Sequence, residues 1–122
     1  VLFRSTLVSG QIEGSTYMGA AEVCLENYDM NRFSLHAGPS LLDYRLPTTL
    51  DTAEIEASIV ESIDPEGPYG AKEAGEGPLH STIPAVANAI YDAVGIRLRE
   101  LPFTPAKVLA ALKEKDEANI NA

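Results

Sequence analysis

The chain has 122 residues, 45% of them hydrophobic, and a formal net charge of −9 at pH 7, which is one domain's worth of sequence with enough apolar content for a core. The acidic balance argues against nucleic acid or anionic membranes as partners, and no apolar run is long enough to span a bilayer. The single cysteine, Cys24, excludes an internal disulfide, a zinc cluster and an iron–sulfur centre held by this chain alone, and it fits a reducing, cytoplasmic setting.

Residues 1–6 read as a truncated or non-native start. Val1 is no initiator methionine, and Leu2-Phe3-Arg4-Ser5 is also the translation of a common sequencing-adapter end. From Gln11 to about Glu22 the pattern predicts a short helix, with Ile12, Tyr17, Met18, Ala20 and Ala21 as its packed face and Gly14 and Gly19 weakening it. Glu22 to Tyr28 reads as a strand, Asn31 to Ser40 as a turn with irregular chain, and Leu41 to Leu46 as an extended piece ending at Pro47.

Ile55 to Ile63 is the clearest predicted strand, because Ile55, Ala57 and Ile59 alternate with Glu56, Ser58 and Val60. Asp64-Pro65-Glu66-Gly67-Pro68 carries strong turn chemistry. Leu79 to Val94 is the best helix: Leu79, Ile83, Val86, Ala87, Ile90 and Val94 recur on one face, and Gly95 stops it. Ile96 to Arg99 alternates like a short strand. Thr104 as N-cap and Pro105 at the first helical position open a last helix, with Val108, Leu109 and Leu112 on its apolar side. Residues 116–122 read as a frayed polar tail. The expected fold class is α+β, with residues 7–115 as one unit.

The stretch richest in chemistry is the loop Gly70-Ala71-Lys72-Glu73-Ala74-Gly75-Glu76-Gly77-Pro78-Leu79. Its glycines permit left-handed backbone or close approach to a ligand, and Pro78 sets up a helix start. Glu76, between two glycines, is presented with little shielding. Read from residues alone, Glu76 is an acid favoured by a helix N-terminus, and Gln11 is a helix-start cap.

The Lys-x-x-Gly-Glu-x-Pro-Leu pattern at Lys72, Gly75, Glu76, Pro78 and Leu79 resembles the catalytic-glutamate loop of the molybdenum hydroxylases, the family of xanthine dehydrogenase and aldehyde oxidase. Further resemblances follow in the same order. Gly10-Gln11-Ile12-Glu13-Gly14 is similar to the family's Gly-Gln-x-Glu-Gly segment. Gly38-Pro39 with Tyr44-Arg45-Leu46-Pro47 resembles its Gly-Pro…Tyr-x-x-Pro stretch, and Thr104-Pro105-Ala106-Lys107-Val108 its closing helix.

The resemblance implies the C-terminal part of a molybdopterin-binding domain in a large subunit. It implies that Glu76 is the catalytic base, taking a proton from a molybdenum-bound hydroxide or water. Gln11, Gly10 and Gly75 would border the cofactor, and no side chain here would ligate the metal directly. The cofactor implied is molybdenum-molybdopterin in its cytosine dinucleotide form. Iron–sulfur clusters and FAD would sit on partner subunits or domains, beside the remainder of the large subunit and a small-molecule substrate.

Pro68-Tyr69-Gly70-Ala71-Lys72-Glu73-Ala74 is closest in wording to 4-hydroxybenzoyl-CoA reductase, which removes a phenolic hydroxyl reductively. Gly75-Glu76-Gly77 has the general hydroxylase form instead. The open alternatives are therefore a xanthine- or aldehyde-dehydrogenase-type hydroxylase and a non-catalytic interaction domain with a glycine-rich turn. Lys72, His36, His80 and Cys24 receive no assigned role. Tyr17, Tyr44 and Tyr69 are candidates for a substrate funnel, with ordinary packing as the competing role.

Overall fold

A computed structural model describes residues 5–27, 29–30, 36–37, 40–42 and 44–120. Three helices dominate them: α1 (Ser5–Cys24), α2 (Gly77–Val94) and α3 (Pro105–Ile120). The strands are two antiparallel pieces of two residues each, β1 (Asp29–Met30) and β2 (His36–Ala37), with Asp29 opposite Ala37. The expected α+β class is not confirmed: apart from this short bridge, the regular structure among the described residues is helical. Gly38, Pro39 and residues 31–35 of the expected turn region lie outside the described residues, as does Tyr28.

Helix α1 is longer than expected and takes in the start of the anticipated strand at Glu22. Val23 is wholly buried, beside a small core that also holds Ala21, Ile96 and Phe103. Packing there overrides the β-preference of a branched residue. The helix ends where the N–H groups of Leu25 and Glu26 both donate to the Ala21 carbonyl, at 2.9 Å each. The Val23 carbonyl accepts from the Phe103 N–H at 2.6 Å, which joins the end of α1 to the segment before α3.

Helices α1 and α2 form the main tertiary contact. The half-buried residues of α2 include Leu79, Ile83, Val86, Ala87, Ile90 and Val94, so the predicted stripe is the packed one. On α1 the small residues Ser15 and Gly19 are buried. Ser15 Oγ donates back to the Gln11 carbonyl at 2.9 Å and so needs no partner outside its own helix. At Gly19 a Cβ would stand 2.8 Å from Thr82 Cβ and 3.2 Å from the Leu79 carbonyl oxygen, so the helices meet here only because a side chain is missing.

Gly95 ends α2 in the left-handed conformation (φ 65°) and donates its N–H to the Tyr91 carbonyl at 2.7 Å. Lys115 of α3 then donates from Nζ to the Val94 carbonyl at 2.7 Å, placing a cation at the negative end of α2. Arg97 lies 3.9 Å from the centre of the Tyr91 ring and donates to Asn88 Oδ1 at 2.8 Å. At the start of α3, Thr104 Oγ1 accepts from the Lys107 N–H at 3.3 Å, as its N-cap role requires. Residues 116–120, expected to fray, continue α3.

Ile55 to Ile63 is extended, not laddered. Ile55, Ala57 and Ile59 are half-buried while Glu56, Ser58 and Val60 are exposed, so the two-residue period is present. No strand pairs with the segment among the described residues, and a lone strand gains no ladder. Leu41 and Leu42 form a turn and Tyr44 a bend, where an extended piece was expected, and Ile96 to Arg99 is irregular. No helix among the described residues is long and apolar enough to cross a membrane.

Candidate functional site

The loop between the extended segment and α2 is built by its own side chains. Asp64 Oδ1 accepts from the Glu66 N–H at 2.9 Å, an Asx-type turn. The Asp64 N–H donates to the Gly70 carbonyl at 3.2 Å. Tyr69 adopts a left-handed conformation (φ 55°), uncommon for a residue with a side chain, and is fully exposed. Gly70 follows it at φ 76°, packed so closely on Ile63 that a Cβ would stand 2.7 Å from Ile63 Cγ2. Lys72 Nζ donates to Ser62 Oγ, closing the base of this loop. Lys72 therefore has a structural contact, which the sequence did not disclose.

Glu76 is the residue immediately before α2, and its carboxylate makes no capping hydrogen bond. The cap is Glu73. Its Oε1 accepts the N–H of Glu76, and the N–H of Gly77 lies 3.3 Å from Oε1 and 3.2 Å from Oε2. The helix-start role that residue chemistry alone gave to Glu76 thus belongs to Glu73. Ala74-Gly75 is small enough for the Glu73 side chain to reach forward onto the first free N–H groups of the helix.

Gln11 is brought to this loop from α1. A Cβ on Gly75 would lie 3.5 Å from Gln11 Oε1 and 3.6 Å from Glu73 Oε1. The Gln11 amide, the Gly75 backbone and the Glu73 carboxylate therefore border one spot beside Glu76. Gln11 lies mid-helix rather than at a helix start, because α1 begins at Ser5. Its side chain therefore lies against the loop and caps no helix start.

Gly10 faces elsewhere. Nothing stands within 4 Å of where its Cβ would be. It borders a cavity of about 520 Å³ between Glu13, Gly14 and Tyr17 of α1 and Thr49, Thr52, Ala53 and Ile55 of the strap that crosses the helix. Gly75 and Glu76 are not among the residues lining that cavity. The strap is pinned by Tyr17, whose hydroxyl donates to the Pro47 carbonyl at 2.8 Å. A neighbouring cavity of about 430 Å³ runs along the other side of Tyr17 past Cys24, Thr82 and Val86.

The remaining polar groups have local explanations. Cys24 is exposed, and partial burial of its thiol pushes its pKa above the ordinary value. Tyr44 donates to Glu26 Oε2, and that hydrogen bond to a carboxylate raises its hydroxyl pKa. Asp51 is held below the usual carboxylate range by hydrogen bonds from the Thr48 N–H and hydroxyl, each 2.8 Å long. His80 is exposed on the first turns of α2. Among the described residues, no group of three or more His, Cys, Asp or Glu side chains is placed to hold a metal ion.

Comparison with known proteins gives a consistent set of relatives. The chain is 34% identical over 108 residues to a putative xanthine dehydrogenase molybdenum-binding subunit of Escherichia coli K12, covering 88% of this chain and 14% of that protein. It is 36% identical over 114 residues to an aldehyde oxidoreductase of Megalodesulfovibrio gigas, covering 92% of this chain and 12% of the relative. Quinoline 2-oxidoreductase of Pseudomonas putida 86 superposes with a TM-score of 0.80 at 28% identity, over 89% of this chain and 14% of that one. The chain thus spans about one-seventh of the length of the relatives it matches. No protein-family model matches it.

Proposed function

We propose that this chain, which belongs to the molybdenum hydroxylase large-subunit family, supplies the proton-accepting wall of a molybdenum-cofactor site completed by the rest of a large subunit. The observation that supports the reading is the approach of the Gln11 amide to the Gly75 backbone, next in sequence to Glu76, whose exposed side chain makes no capping bond. These groups suit a cofactor edge: an amide that can donate and accept, a backbone bare of side chain, and an accessible carboxylate. When bound, the cofactor would supply the oxygen to be transferred and take up the substrate's electrons. Gln11 would hydrogen-bond its edge, and Gly75 would let it approach. Glu76 would accept a proton at a carboxylate oxygen. Gly10, on the adjacent face of α1, would admit a more distant part of the same large group.

The reaction favoured is hydroxylation of an aldehyde or N-heterocycle with water as the oxygen source, in keeping with Gly75-Glu76-Gly77. The complete enzyme, turning over in ¹⁸O-labelled water, is expected to place the label in its product. Label arriving from dioxygen instead would overturn the reading. A second reading, reductive dehydroxylation of the 4-hydroxybenzoyl-CoA reductase type, is supported by Pro68-Tyr69-Gly70-Ala71-Lys72-Glu73. Loss of the phenolic hydroxyl from 4-hydroxybenzoyl-CoA under a low-potential reductant would favour it.

The same proposal includes the cytosine dinucleotide form of the cofactor, iron–sulfur and flavin partners for electron transfer, and a cytoplasmic location in keeping with the lone free thiol. The isolated 122-residue chain should carry no molybdenum, since it spans only about one-seventh of its relatives. With one cysteine it cannot hold an iron–sulfur cluster. Metal analysis after purification from a host that makes the cofactor tests this, and stoichiometric molybdenum would show that the site is complete within the chain.

A further inference from the structure

We propose that Glu73 is a positioning residue for Glu76: its carboxylate fixes the backbone from which the reacting carboxylate projects. This rests on the reading of Glu76 as the base. Three observations carry it. Glu73 Oε1 accepts the N–H of Glu76 itself, so the bond holds the peptide unit that sets the direction of the Glu76 side chain. The Gly77 N–H, on the next peptide, lies 3.3 Å and 3.2 Å from the two oxygens of the same carboxylate. The third is the spot beside Gly75, where Gln11 Oε1 and Glu73 Oε1 would stand 3.5 Å and 3.6 Å from a Cβ. The carboxylate that orients Glu76 therefore also borders the contact between α1 and the loop.

The loop needs such a device. Gly75 and Gly77 flank Glu76 and leave its backbone with wide freedom, and Glu76 has no side-chain bond of its own to the helix start. A charge-assisted bond to two consecutive N–H groups removes that freedom. Misplacement of a reacting group by about 1 Å can cost on the order of a hundredfold in rate. Glu73 is exposed, so its role is directional and does not come from burying a charge.

The test uses the complete molybdenum enzyme, with kcat expressed per bound molybdenum. Glu73→Ala and Glu73→Met remove the acceptor, and each is expected to lower kcat by about tenfold to a hundredfold with KM within about twofold of wild type. Glu73→Gln keeps an acceptor oxygen and is expected to restore kcat to within about threefold of wild type. A purely structural residue would instead lower molybdenum content or thermal stability and leave kcat per molybdenum unchanged. Either acceptor-free variant turning over within twofold of wild type overturns the proposal. So does a crystal structure of the wild-type enzyme with the Glu73 carboxylate turned away from the Glu76 N–H, which decides the matter even if the variants do not assemble. Glu76→Gln separates the two ideas. If Glu76→Gln is inactive and Glu73→Ala normal, only the positioning role fails; if Glu76→Gln is active, the underlying reading fails.

Discussion

Glu76→Gln in the complete enzyme is expected to retain molybdenum and substrate binding and to lose about two to four orders of magnitude in kcat, the range for a positioned general base. The substitution is nearly isosteric and keeps a hydrogen-bonding oxygen, so the loop has no steric reason to move. It removes the ability to accept a proton. The cap of α2 is also untouched, because it is made by Glu73 and not by the Glu76 side chain. That point gives the experiment its resolving power. Had Glu76 been the capping acid, its replacement would have disturbed the helix start and mixed a folding effect into the rate. With the cap elsewhere, a fall in kcat at unchanged molybdenum content reports on chemistry. Near-normal turnover in a metal-replete Glu76→Gln enzyme would remove the assigned role.

Helical features were legible in the sequence where their cause is local. The α2 stripe, the Gly95 stop and the Thr104-Pro105 start all depend on residues within a turn or two of one another, and each appears where the pattern put it. The strands were less legible, because a strand exists only with a neighbour. Ile55, Ala57 and Ile59 alternate inward as their pattern demands, yet no ladder forms among the described residues. Val23 was misassigned for the opposite reason. Its local preference is extended, but it is wholly buried and its carbonyl is bonded by the Phe103 N–H, far along the chain. For the candidate site the motif put forward Gln11, Gly75 and Glu76. It could not show that Glu73 turns back to the helix start, because a glutamate three residues ahead of an N-cap is not among the capping residues that sequence patterns favour.

Gly19 is where a small change should do the most damage to the fold. A helical glycine exchanged for alanine normally gains about 1 kcal/mol in propensity, and Gly14→Ala, with nothing within 4 Å of the new Cβ, is expected to realise that gain. At Gly19 the sign should reverse. The new Cβ would meet Thr82 Cβ at 2.8 Å and the Leu79 carbonyl oxygen at 3.2 Å. Neither atom is the tip of a flexible side chain, so relief requires α1 and α2 to separate. Their contact is the principal one between helices, and the core beyond it is thin: Ala21, Val23, Ile96, Pro102 and Phe103 are its buried apolar side chains among the described residues. Gly19→Ala is expected to destabilise by about 1 kcal/mol net, and Gly19→Leu by about 3 kcal/mol, near the upper end for overpacking. Urea denaturation of the chain, followed by far-ultraviolet circular dichroism, reads both against Gly14→Ala. Such a loss is a large share of what a domain of this size has to lose. It also bears on function, because the α1–α2 approach carries Gln11 to Gly75. A Gly19→Leu chain as stable as the parent would mean that the two helices do not approach each other closely at this glycine, and that Gln11 reaches the loop by another arrangement.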